Sequence, residues 1–143
     1  MFDFDPNARG EPFDEEAYLK LEKYFQRWLP KIKFDDDYLS VLRHQNGGVP
    51  GRRIFETPRG DERLIEQVLP IQDVDKYWSW AGDSEAFHIE LVPFAVLFAG
   101  DLLCFDFRKL RRGKRPPVVV WLHEESEESK PVTEKVADDF TEF

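Results

Sequence analysis

Cysteine is almost missing from this chain: Cys104 is the single copy in 143 residues. One thiol excludes an internal disulfide framework and fits a reducing, cytoplasmic setting. Long apolar runs are missing too, since none approaches the ~18 residues that span a bilayer. The opening stretch MFDFDPNARGEPFDEE is acidic, with no basic segment followed by an apolar one, which argues against a secretory signal. Histidine is scarce. His44, His88 and His123 form no metal-ligand spacing, and His123-Glu124 lacks the second histidine four residues on that a zinc-protease helix needs. Serines occur without a strand-to-helix nucleophile elbow. Cations are outnumbered, with 20 Lys and Arg against 29 Asp and Glu, for a net charge of −9. Such a surface repels nucleic acid and anionic membranes and attracts basic partners. No internal repeat and no long linker interrupts the chain, so one domain is expected over 1–143, with 1–12 as an extended arm.

What is present is bulky. Aromatic residues make up 15%, including 13 Phe and 4 Trp, too many for a disordered chain. From Phe13 to Leu29 the apolar residues Phe13, Ala17, Tyr18, Leu21, Tyr24, Phe25, Trp28 and Leu29 recur at spacings of three and four, which places them on one face of a predicted helix. Acidic Asp14, Glu15 and Glu16 suit its first turn, and Pro30 closes it. A shorter helix follows Asp35-Asp36-Asp37, one of which serves as N-cap. It runs into Asn46-Gly47-Gly48, where left-handed backbone is cheapest, so this triplet reads as a helix stop and reversal. Extended stretches are expected at 52–57 and 63–71, joined by the turn Pro58-Arg59-Gly60-Asp61. The adhesion tripeptide spelled there is taken as coincidence.

A short helix capped by Asp73 and broken by Gly82 comes next. The strongest strands are LVPFAVLFA and LLCFDF, hinged at Gly100-Asp101, then VVVWLH from Val118 to His123. Their near-continuous apolar character implies coverage on both faces. From Val132 to Phe143 the residues Val132, Val136, Ala137, Phe140 and Phe143 fall at helical spacings, predicting a closing helix that runs on if the parent protein is longer. The fold class is therefore α+β: a mostly antiparallel, curved sheet flanked by N-terminal and C-terminal helices.

Candidate chemistry is thin. Cys104 sits mid-strand as an inert small hydrophobe. Asp101 and Asp106, with the Glu128-x-Lys130 pair and the cations of 108–115, sketch a metal-dependent nuclease, but Glu128 and Lys130 lie in a charged stretch beyond the strand. Tyr77, Trp78 and Trp80 could anchor a partner.

Tyr38-x3-Leu42-x3-Asn46-Gly47-Gly48, then Phe55, Pro93-Phe94-Ala95, Gly100-Asp101-x2-Cys104-Phe105-Asp106, His123-Glu124 and Ala137-x2-Phe140, together resemble the signature of the SUKH superfamily. The resemblance runs from about Asp14 to Phe143. It departs where Leu29-Pro30 stands further ahead of Tyr38 than usual, with Asp35–Asp37 between. It implies a domain without catalysis or cofactor, with Asn46, Gly47, Gly48, Gly100 and Asp101 as fold signature. It also implies an immunity protein that occludes a cognate polymorphic toxin, often a nuclease, or else a regulator or scaffold within the cell. Acidic clusters at Asp35, Asp36, Asp37 and at Glu124, Glu125, Glu127, Glu128 are then the expected partner contacts, with Trp78 and Trp80.

Overall fold

The computed structural model describes residues 11–110, 113–126 and 130–143. The expected arm lies mostly outside them, as do Glu127 and Glu128. Three helices, α1 (Glu15–Gln26), α2 (Asp36–His44) and α3 (Val74–Gly82), pack on a six-stranded sheet. Its strands are β1 (Ile54–Glu56), β2 (Glu62–Val68), β3 (Leu91–Leu97), β4 (Leu102–Asp106), β5 (Val118–Trp121) and β6 (Thr133–Ala137). They lie side by side in chain order, every pair antiparallel.

Both early helices begin as the acidic runs suggest. Asp14 Oδ1 accepts the backbone N–H of Glu16 at 2.9 Å, and Asp35 Oδ1 accepts that of Asp37 at 2.8 Å. Asp73 does not cap α3: its carboxylate accepts the Lys76 ammonium instead.

The sheet curls, and three bulges say how. Register slips by one residue between Ile65 and Gln67, between Pro93 and Ala95, and between the partners of Val118 and Val119. A bulge bends its strand and sharpens the local twist. Pro93, which has no N–H to give a ladder, is tolerated beside the second one. The curl carries the β1–β2 turn to the far side of the sheet, where the Arg59 backbone N–H donates to Glu134 of β6 at 3.2 Å.

The closing helix is the one element that differs in kind. Residues 133–137 form β6 and pair with β5. Without β6, the buried strand β5 would leave one row of backbone polar groups unpaired under apolar cover. The helical spacing comes from the third bulge, which places Val136 out of register, and from the turn after β6, which buries Phe140.

Aromatic rings fill the space between α2 and the sheet. Tyr38 lies edge-on to Phe94, Phe105 and Phe140, and Phe94 stacks on Phe105 at 4.5 Å. Cross-strand pairing puts Trp121 beside Leu102, on the other face from Phe105, where it meets Phe87 at 4.9 Å and donates to the Ala86 carbonyl. Strands β3, β4 and β5 are thus covered on both sides, as their apolar runs require.

Candidate partner-binding surface

The triplet Asn46-Gly47-Gly48 is not a helix cap. Helix α2 ends on Gln45, whose backbone is extended (φ −146°, ψ 119°). Asn46, which looks like a loop residue, is buried. Its Oδ1 accepts the Ile71 N–H at 2.8 Å, and its Nδ2 donates to Gln72 Oε1 at 2.8 Å and the Glu11 carbonyl at 3.2 Å. Gly48 bridges to Val68 through both backbone groups. The triplet ties α2 to the end of β2. Asn46→Ala is therefore expected to cost about 1–3 kcal/mol, because it leaves the buried Ile71 N–H unpaired. Urea denaturation measures this, and a loss below about 0.5 kcal/mol would show that the bond is replaced by water.

The acidic run Asp35-Asp36-Asp37 divides. The Asp35 side chain is fully buried, and its carboxylate binds Arg115 Nε at 2.7 Å and Nη2 at 2.8 Å while capping α2. It has nothing left to offer a partner, so Asp35 is corrected from contact residue to structural anchor. Arg115 also reaches Asp37 at 3.3 Å, Asp139 at 3.4 Å and the Thr141 hydroxyl at 2.6 Å. Burial works against the guanidinium charge, but the hydrogen bonds and fields of Asp35, Asp139 and Asp37 outweigh it and hold its pKa above the ordinary value. Thr141 in turn donates to Asp37.

These contacts gather carboxylates that are distant in sequence. Asp36 and Asp37 share the first turn of α2, and Arg115 and Thr141 bring the C-terminal segment with Asp138, Asp139 and Glu142 beside that turn. The Lys135 ammonium hydrogen-bonds Asp138, lowering the pKa of that carboxyl and raising that of the lysine. At the other end of β6, Glu134 and Glu125 converge on Arg59. An open cleft of about 250 Å³ lies there, lined by Arg59, Asp61, Arg63, Asp101, Glu124 and Glu125. The outcome is an acidic ridge along β6, roughly 17 Å of edge strand with carboxylates at both ends. Sequence reasoning finds Asp36, Asp37, Glu124 and Glu125. It misses Glu134, Asp138, Asp139 and Glu142, because helical spacing assigns that segment to a helix. The signal present is Ala137-Asp138-Asp139-Phe140 next to an apolar strand.

The other candidates fall into place around the ridge. Trp78 is corrected to a core residue: it is buried, packs on Phe25 at 4.8 Å and donates Nε1–H to the Ile89 carbonyl. Trp80 remains exposed and meets Tyr77 edge-on. Asp101 follows Gly100 (φ +89°), pairs with Arg63 at 2.6 Å and accepts the His123 N–H at 2.8 Å, so it locks the β3–β4 turn to the end of β5. Asp106 is held by Arg108 at 2.9 Å at the opposite end of β4. The two carboxylates are about 16 Å apart along the strand and cannot share one ion, which removes the core of the nuclease reading. Glu128 lies outside the described residues. Arg59 is tied to Glu125 and Glu134, so the adhesion tripeptide is not presented as a free loop. The Cys104 thiol is fully buried, and burial first, then the nearby Asp106, pushes its pKa far up, as suits an inert core residue. Among the described residues no helix is long and apolar enough to cross a membrane.

No curated protein and no solved structure matches the chain. The family model of the SMI1/KNR4 family (SUKH-1) matches residues 12–143, which takes in both the Asn46-Gly47-Gly48 tie and the Gly100-Asp101 lock. On that match the chain belongs to the SMI1/KNR4 (SUKH-1) family.

Proposed function

We propose that this chain is a non-catalytic binding protein that neutralises a cognate toxin, a basic nuclease domain, by laying its acidic ridge across the toxin's phosphate-binding site. The observation that carries this reading is the ridge along β6, where Glu134, Asp138, Asp139 and Glu142 extend the row begun by Glu124 and Glu125 and finished by Asp36 and Asp37. Family membership supports a protein partner. A nuclease must hold phosphates, so its active site is cationic, and opposite fields accelerate encounter and exclude substrate. β6 also stands last in the sheet order, and an outer strand can take an added strand from a partner.

The test is binding kinetics with a basic nuclease toxin domain, sought among the products of neighbouring genes, at low and high salt. Association is expected to slow at least ~10-fold as salt rises, with a smaller change in dissociation. Reversing Glu134 and Asp138 to lysine should slow association further, while Asp35 contributes nothing directly. An affinity indifferent to salt and to both reversals would overturn the reading, and binding to a non-toxin partner through the same ridge would assign the domain to regulation or scaffolding.

A further inference from the structure

The net charge of −9 conceals a face of opposite sign. Between residues 20 and 33 stand Lys20, Lys23, Arg27, Lys31 and Lys33, with Glu22 as the only carboxylate. Glu22 is occupied by the Tyr18 hydroxyl at 2.5 Å. Lys20, Lys23 and Arg27 follow the helical spacing of α1, so they form one stripe. The backbone keeps turning to Leu29, with the N–H groups of Trp28 and Leu29 both bonded to the Phe25 carbonyl, and Lys31 extends the stripe from the turn that follows. Tyr24 and Trp28, four residues apart, run beside it. Tyr24 is braced edge-on against Trp78 at 6.0 Å, while Trp28, expected on the buried helical face, stands 57% exposed because α1 ends at Gln26 and the chain turns away after it. Lys23, Arg27 and Lys31 have no carboxylate partner among the described residues. Lys20 and Lys33 have only long pairs, at 3.7 and 3.9 Å, with exposed Glu16 and Asp36.

We propose that this face of α1 docks on an anionic phospholipid surface. Three of its four cations, Lys20, Lys23 and Lys31 against Arg27, are lysines, which are depleted at protein interfaces. On a bilayer the long stem lies along apolar surface while the ammonium reaches the phosphates. Tryptophan belongs at that depth, with its ring in the interface and its N–H toward water. Neither of two clefts among the described residues, one of about 320 Å³ beside Phe55 and Phe143 and the other beside Arg59, is lined by residues of this face. A bilayer requires no cleft. The acidic ridge is carried by β6 and the start of α2, and beyond about 8 Å its repulsion is screened at physiological salt. The two surfaces meet at Lys33, which pairs with Asp36 at 3.9 Å, but among the described residues Lys20, Lys23, Arg27 and Lys31 contact no ridge carboxylate, and β6 is left free for a protein.

The experiment uses the full chain and sedimentation with vesicles of phosphatidylcholine alone or with about 30% phosphatidylserine. Binding to the anionic vesicles only, lost at high salt, is expected. Each cation near the surface is worth roughly fivefold, so Lys23→Glu/Arg27→Glu/Lys31→Glu together should weaken binding at least ~100-fold, and Trp28→Ala several-fold. All four side chains are exposed, and circular dichroism should show both variants folded as the parent. Failure of the parent to sediment with anionic vesicles at low salt would overturn the proposal. So would equal binding by the triple variant, or a polyglutamate peptide bound more tightly than the vesicles, which would give the stripe to an acidic protein.

Discussion

Replacing Arg115 by methionine is expected to destabilise the protein by about 3–5 kcal/mol, a large share of the roughly 5–15 kcal/mol that holds an ordinary domain together. The reason lies in Asp35. Its side chain has no exposure, so its charge is tolerable only because two backbone N–H groups of α2 and the guanidinium fork surround it. Methionine keeps the stem of Arg115 and removes the fork, leaving a buried carboxylate half-compensated. Asp139 and Thr141 lose their anchor at the same time, and with them the turn that holds Phe140 against Tyr38. Lysine at 115 restores a point charge but not the paired geometry, and should recover only part of the loss. Urea denaturation of Arg115→Met, Asp35→Asn and the double variant makes a cycle. The double variant should be clearly more stable than the sum of the singles implies. Additive losses would mean that the pair is not coupled and that Asp35 is stabilised by its helix alone.

That ion pair also shows where sequence reasoning stops. Local signals are legible: the helical spacing from Phe13 to Leu29, the carboxylates that begin α1 and α2, and the apolar runs of β3, β4 and β5 all read directly into elements. Each depends on residues a few positions apart. Arg115 and Asp35 are 80 residues apart, and no local pattern distinguishes a buried partner from one more cation in a basic loop. Asp35 itself has the composition of a surface acid, and its neighbours Asp36 and Asp37 are indeed exposed or half-exposed. The C-terminal segment misleads for a different reason. A bulge at Val136 breaks the two-residue alternation of β6, and the broken alternation imitates a helix. Half of the acidic ridge is hidden from the sequence because Glu134 lies on that strand and Asp138, Asp139 and Glu142 lie in the turn that follows it. The motifs around Asn46 and Asp101 are readable as order and spacing, but their physical content is not. Asn46 is a buried crosslink and Asp101 a turn lock, which only the packing of distant elements reveals.

Gly47→Ala should cost about 3 kcal/mol or more, because a conformational cost and a steric one add. Gly47 has φ +81°, a left-handed conformation that costs an L-residue roughly 1–2 kcal/mol. A Cβ at this position would also lie 2.6 Å from Pro70 N and from Val68 O, and 2.9 Å from Leu69 C. All three are backbone atoms at the end of β2, so no side chain can swing aside, and relief requires α2 and β2 to separate. Separation strains the Gly48–Val68 bridge and pulls Asn46 from the Ile71 N–H, so the clash propagates into the tie that the triplet exists to make. Gly60 supplies the control. Its φ is +88°, but the nearest atom to an added methyl is the mobile Glu56 carboxylate at 4.0 Å. Gly60→Ala should therefore cost only the conformational part, about 1–2 kcal/mol. Equal midpoints for the two variants in thermal or urea denaturation would mean that backbone strain alone accounts for glycine at position 47, and that the close approach to the end of β2 adds nothing.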